Sequence, residues 1–148
     1  MATTNATISI NSDISSYPMR INSTMTMKKA GSCHGLDETL GMRTKKFTST
    51  TAAEIATLGD LTNDGAHKIY IRNTSSSKEN FFYVAYNASA AAATTAETIG
   101  KLYGGDWMFI PWNASDDAAE IEIEAQVGAQ TIEYAFFASD LVLATAAS

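Results

Sequence analysis

Residues 98–138 read TIGKLYGGDWMFIPWNASDDAAEIEIEAQVGAQTIEYAFFA, and this stretch decides the fold class. Glu120-Ile121-Glu122-Ile123-Glu124 alternates charged and apolar residues at period two, the spacing that sends successive side chains to opposite faces of a strand. Before it, residues 98–103 and 106–112 flank Gly104-Gly105. That pattern predicts a hairpin, because two glycines supply the backbone a two-residue turn needs. In its second arm Trp107 and Phe109 share one face, and Met108 and Ile110 the other. Pro111 puts the end of this arm at a sheet edge, since proline has no N–H to give a neighbour. Residues 131–138 make the last strand, followed by a small-residue tail.

Upstream the same period recurs. Residues 67–73 form a strand with Ile69 and Ile71 inward, introduced by the turn Asn63-Asp64-Gly65 and followed by a polar loop over 75–80. Residues 81–87 are apolar on both faces and predict a central strand covered on both sides, by a second sheet or by a subunit. The alanine-rich stretch 88–96 is too short for a stable isolated helix and reads as a surface loop. Residues 7–11 alternate as a half-buried strand. Pro18 then opens a run with Met19, Ile21, Ser23, Met25 and Met27 on one face and Arg20, Asn22, Thr24 and Thr26 on the other. Residues 42–49 form a weaker strand with Arg43, Lys45 and Phe47 on one face, and 50–58 suggest one or two helical turns.

Eight or nine short strands at near-regular spacing predict an all-β, single-domain antiparallel β-sandwich or jelly-roll-like barrel. Its expected parts are an extended N-terminal arm over 1–30, a compact core over 61–138 and a tail over 139–148. A chain of 148 residues is long enough to bury about two-thirds of its unfolded surface without staples. Cys33 is the single cysteine, which excludes an internal disulfide framework. The first residues lack the basic and apolar regions of a secretory signal, and no apolar run approaches the ~18 residues of a membrane helix. The sequence expectation is therefore a soluble protein with no membrane partner.

Charge is unevenly spread. Residues 1–80 carry nine Lys/Arg against seven Asp/Glu, whereas 81–148 carry Lys101 against nine acids; the net values of +2 and −8 sum to −6. Nucleic acid is not an expected partner of so acidic a chain, since phosphate binding rests on clustered Lys and Arg. The asymmetry fits two differently solvated faces, or a subunit whose basic face meets the acidic face of a neighbour.

No constellation supports a reaction, so no catalytic residue, metal site or cofactor is expected. Cys33 and His34 would point oppositely in an extended segment and could not form a nucleophile–base pair. With Asp37 and Glu38 they lack the second ligand pair of a zinc site, for which only His67 remains. Glu120, Glu122 and Glu124 stand ~7 Å apart along a strand and cannot converge on one calcium ion. They read instead as an exposed face that deters sheet-to-sheet aggregation. Tyr103, Trp107 and Trp112 offer exposed aromatic contacts, or a stacking platform for sugars, or else simply core and rim.

Several segments together carry a resemblance: ATISINSDISSYPMRI, MTMKKAG, LTNDGAHKIYIRNTSSSKENFFYVAY, IGKLYGGDWMFIPWNA, IEIEAQ and TIEYAFFA. In this order they resemble small virion structural proteins of tailed phages, notably those of marine and cyanobacterial hosts, over most of the chain and best over 60–138. Within that group the chain is most similar to capsid decoration, or cement, proteins. The resemblance implies an enzymatically silent protein, assembled in the host cytoplasm and sitting on the capsid exterior as a homotrimer at capsomer junctions. Its partners would be the major capsid protein and its own copies. A tail, neck or baseplate component is the alternative, and a module binding host-surface glycans a further one. The expected contact residues are Ile8, Ile10, Met19, Ile21, Lys28, Lys29, Arg43, Lys45, Lys46 and Phe47.

Overall fold

The computed structural model describes residues 3–12, 19–28, 35–57, 60–61, 66–86, 98–114 and 120–140. They form ten strands and no helix: β1 (Thr3–Ser12), β2 (Met19–Lys28), β3 (Gly35–Phe47), β4 (Ala53–Ala56), β5 (Ala66–Asn73), β6 (Phe81–Tyr86), β7 (Thr98–Tyr103), β8 (Trp107–Trp112), β9 (Ile121–Ala125) and β10 (Gln130–Asp140). The chain divides into two compact units, Met1–Asp37 with Ser139–Ser148, and Glu38–Ala138. The larger unit thus starts well before residue 61, where the sequence pattern first sharpens.

The larger unit is the expected β-sandwich. One layer runs β3-β10-β5-β8 and the other β4-β9-β6-β7. Strand alternation turns one side of each layer inward. Ile69 and Ile71 of β5, Ile132 and Phe136 of β10, Phe82 and Val84 of β6, and Ile121 and Ile123 of β9 are buried in a shared core. Phe47 of β3 meets Phe82 of β6 edge to face at 5.3 Å, linking the layers. Burying side chains of this size contributes roughly 1.5–3 kcal/mol each. β6 lies between β9 and β7, the central place that its two-sided apolar pattern predicts.

Two expectations are corrected. Residues 53–56 form β4, paired antiparallel with β9, and not the helical turns that 50–58 suggest. Nine residues are too few to hold a helix alone, whereas β9 offers a ladder and the core takes Ile55 and Ala56. Just beyond, Asp60 Oδ2 accepts from the Thr57 N–H at 2.8 Å, closing a turn. β4 brings the count of described strands to ten.

The second correction concerns 98–112. β7 and β8 both form, but they do not pair: β7 joins β6 and β8 joins β5. The Gly-Gly segment is therefore a corner between layers. Its turn is closed by the Asp106 N–H donating to Tyr103 O at 2.9 Å, with Gly105 at φ +86°, a conformation natural to glycine. Gly104 lies against the backbone of the 75–77 loop, where an added Cβ would meet the Ser75 carbonyl oxygen at 2.8 Å and the Ser77 carbonyl oxygen closer still.

Asn73 fastens this corner. Its amide donates to Leu102 O at 2.9 Å and to Asn80 O at 3.1 Å, while its Oδ1 accepts from the Ser75 N–H at 3.0 Å. Its backbone N–H donates to Asp106 O, and its carbonyl accepts from the Gly105 N–H, both at 3.0 Å. The side chain is fully buried, so each bond offsets a desolvation cost that would otherwise stand.

Asn73→Ala should lower unfolding stability by about 2–4 kcal/mol, since buried partners are left unsatisfied; urea denaturation measures the loss. In the same assay Gly104→Ala should destabilise clearly. Gly100→Ala, with open space where its Cβ would stand, should change little.

Candidate interaction surfaces

Among the described residues the buried polar or charged ones are His67, Asn73, Glu122 and Gln130. A cavity of about 200 Å³ is lined by Val84, Ile99, Gly100, Lys101, Leu102 and Met108; Lys101 is its single ionisable residue. His67, also buried, accepts a hydrogen bond from the Ala114 N–H on Nδ1 at 3.1 Å, which occupies the lone pair a metal would need. No group of three His, Cys, Asp or Glu among the described residues is placed to hold a metal ion. Cys33, His34 and the turn 63–65 lie outside the described residues, as do 88–96, Asp116 and Asp117.

The outer side of the β3-β10-β5-β8 layer is aromatic and basic. Register sets Tyr70 opposite Phe109, Arg72 opposite Trp107 and Lys68 opposite Pro111. Tyr70 and Trp107 have ring centroids 6.4 Å apart, and Phe109 meets Phe137 of β10 at 5.9 Å. Trp107 is half exposed, at 50%. Arg72 stands 3.6 Å from Glu133 of β10, on the other side of β5 from the Trp107 strand, in a surface ion pair. On β3, alternation with buried Phe47 places Met42 and Lys46 on this same outer side, both exposed. Among the side chains described on this side, Lys46, Lys68 and Arg72 outnumber Glu133.

The outer side of the other layer is acidic at one end. Glu54 of β4 is directly opposite Glu122 of β9, and Glu124 is opposite Tyr83 of β6. The expectation of an exposed carboxylate row is corrected: Glu120 and Glu124 are half-buried and Glu122 is buried. Glu122 is only 9% exposed, and its Oε2 has no hydrogen-bond partner. Burial pushes its carboxyl pKa up, and the negative charges of Glu54 and Glu120 push it further. At the other end Phe81 meets Tyr83 at 5.0 Å and Tyr103 at 5.2 Å. Lys101 Nζ lies 4.6 Å from the Phe81 ring centre, a cation–π contact.

These positions sort the residues singled out from sequence. Tyr103, Trp107 and Trp112 do not form one platform. Tyr103 belongs to the acidic layer and Trp107 to the aromatic-basic one, while Trp112, at 5% exposure, is core and stacks on Phe136 at 5.1 Å. Phe47, also at 5% exposure, is likewise a core residue and is withdrawn from the contact set; even-numbered alternation gives Trp112 the inward side of Met108 and Ile110.

The basic residues divide in the same way. Arg43 pairs with Asp60 at 3.7 Å and lies over the Phe136 ring. Lys45 donates to Glu54 O at 2.8 Å and lies over Phe47. Both cations thus serve contacts within the sandwich. Lys28 ends β2, and Lys29 lies outside the described residues. Ile8, Ile10, Met19 and Ile21 are exposed on the β1–β2 hairpin. The signal that sequence reading passed over is the i, i+2 row Trp107-Phe109 against Tyr70 across the ladder, legible only once β8 is known to pair with β5.

Comparison with protein-family models, with curated proteins and with solved structures returns no match to this chain.

Glu122 makes a pH-dependent prediction. Its raised carboxyl pKa means that the folded chain holds this proton more tightly than the unfolded one. This group therefore weakens the fold as pH rises through that range, and the penalty lifts as pH falls back below it. Glu122→Gln should raise the melting temperature at pH 7, and the difference from the wild type should shrink as the pH is lowered through the carboxylate range.

Proposed function

We propose that this chain is a non-enzymatic structural protein of a phage virion, of the capsid decoration type, which binds the outside of the mature head at capsomer junctions and stabilises it. The observation that carries the reading is the outer side of the β3-β10-β5-β8 layer: Trp107 half exposed beside Tyr70 and Phe109, with Lys68 and Arg72 on the paired strand β5 and Lys46 on β3 of the same layer. Trp, Tyr and Arg are the residue types that dominate protein–protein binding energy when a partner excludes water from them. A sheet surface is flat and presents such groups in fixed register, which suits adhesion to a broad protein surface.

Charge supports the same reading. An acidic shell exterior would repel most of this chain but attract this basic side, setting the orientation of binding. A protein that binds only the expanded, mature shell adds its binding free energy to that state by mass action. Copies held together as a homo-oligomer multiply weak contacts through effective concentration. Neither step requires a reaction.

Titrating particles that lack the protein with purified wild type and Trp107→Ala tests the proposal. The expected result is saturation at a copy number on the scale of the capsomers, with affinity lowered at least about tenfold by the substitution and weakened by added salt. Unchanged affinity for Trp107→Ala would overturn this surface assignment. A copy number on the scale of a tail ring would overturn the head location.

A further inference from the structure

Glu54 and Glu122 are directly opposed across the β4–β9 ladder. Two carboxylates in that position repel, and like charges set opposite on neighbouring strands destabilise a sheet. Glu120, two residues before Glu122, adds a third acid to the same face by alternation. Among the described residues no ion pair reaches these acids: the pairs are Arg43–Asp60 and Arg72–Glu133. Lys45 gives its ammonium to the Glu54 backbone carbonyl. Glu122 is also held dry. It is only 9% exposed, and its Oε2 is buried with no hydrogen-bond partner. Burying a carboxylate in this way is costly, and buried charges are as a rule paired or bound to a metal ion. Glu54 is exposed, so the pair has one arm packed away and one arm open to arriving ions.

We infer that the Glu54–Glu122 pair is a two-carboxylate calcium site. Spacing suits an ion of this size. Directly opposed residues have Cβ atoms roughly 4.5–5.5 Å apart. Calcium–oxygen bonds of about 2.3–2.6 Å set oxygens on opposite sides of the ion about 5 Å apart. Two parallel side chains can therefore each present a carboxylate to one ion between them. Oxygen donors alone select a hard cation over a softer transition metal. Magnesium suits the pair less well, because it demands a near-ideal octahedral shell and gives up water reluctantly. An ion reaching Glu122 has to shed water to meet an oxygen packed away from solvent.

The glutamates of β9 could not build such a site by themselves, since they stand ~7 Å apart along the strand. Sheet pairing brings the second carboxylate from β4. With two aligned carboxylates and not three, the protein supplies at most about four of the six to eight oxygens calcium takes, and water supplies the rest. The site is accordingly weak, with a dissociation constant on the order of 1 mM. It lies on the layer opposite to that of Trp107, and it stands independently of the proposed function.

Thermal melts of the full-length chain at pH 7, in EDTA and then in calcium chloride at matched ionic strength, test the site. Calcium at ~10 mM should raise Tm by about 3–5 °C, and magnesium at the same concentration by less than half as much. Glu54→Gln and Glu122→Gln should each remove the rise, judged against their own melts in EDTA. Both remove a repelling charge, so neither threatens the fold. Glu79→Gln, on an exposed loop, should keep the full rise. Terbium luminescence gives a second readout. Tyr83 is a diagonal neighbour of Glu122 on the same face, roughly 7–8 Å away, and should sensitise terbium that calcium then displaces. No rise with calcium, a rise retained in Glu122→Gln, or terbium emission that calcium leaves unchanged would overturn the inference. Equal rises from calcium and magnesium would also overturn it, since they would report charge screening alone.

Discussion

One buried amide governs how the sandwich is threaded. Asn73 ends β5 in one layer, yet its side chain bonds to carbonyls at Asn80 and Leu102, which belong to the path of the other layer. Its own backbone seizes the Gly104-Gly105 corner. A carboxamide can do this because it presents two donors and an acceptor at fixed angles. In a dry site each of those bonds discriminates strongly against alternatives, because an unmade bond there costs more than a made one contributes. The corner is thereby held to a single geometry, and β7 and β8 are held in separate sheets. Lys78 adds a bond from its ammonium to Gly104 O at 2.8 Å. Without this fastening, two adjacent strands joined by two glycines would have every local reason to pair with each other.

That contrast explains what sequence could and could not say. Inward positions on β5 and β9 follow from alternation alone, since Ile69, Ile71, Ile121 and Ile123 are core simply by being apolar at period two, whereas β6 is apolar on both faces and packing chooses Phe82 and Val84 as its inward side. The burial of Trp112 is also present in the pattern, as the third member of Met108, Ile110, Trp112. The partnership of β7 and β8 is different. A Gly-Gly turn states that the chain reverses, but the layer on the far side is chosen by contacts with residues 73–80, some 25–30 positions away. β4 was illegible for a related reason. Four residues carry too little period to declare themselves, and their extended form is imposed by the free edge of β9.

The surfaces were legible in part. Charge asymmetry between the halves of the chain is evident from composition, but its spatial form follows from the sheet order. Lys46, Lys68 and Arg72 come from strands that the fold brings into one layer, whereas Glu54, Glu122 and Glu124 fall in the other. Sequence could not show that Arg43 and Lys45 are held by contacts within the fold, because Asp60, Phe136 and the Glu54 carbonyl reach them only through tertiary packing. The acid at the centre of the Glu row illustrates the same limit. Alternation assigns Glu122 to an outer face, yet neighbours on both flanks shield it, and a like charge sits opposite.

Among the described residues, every member of the main hydrophobic cluster comes from residues 47–138, and β1 pairs with β2 along its full length. Selection can thus rewrite β1 and β2 without eroding the interior of the sandwich. The hairpin is a replaceable cartridge: lineages can diversify its exposed side chains, or an engineer can graft a foreign epitope onto it, while the described core residues of the sandwich stay as they are.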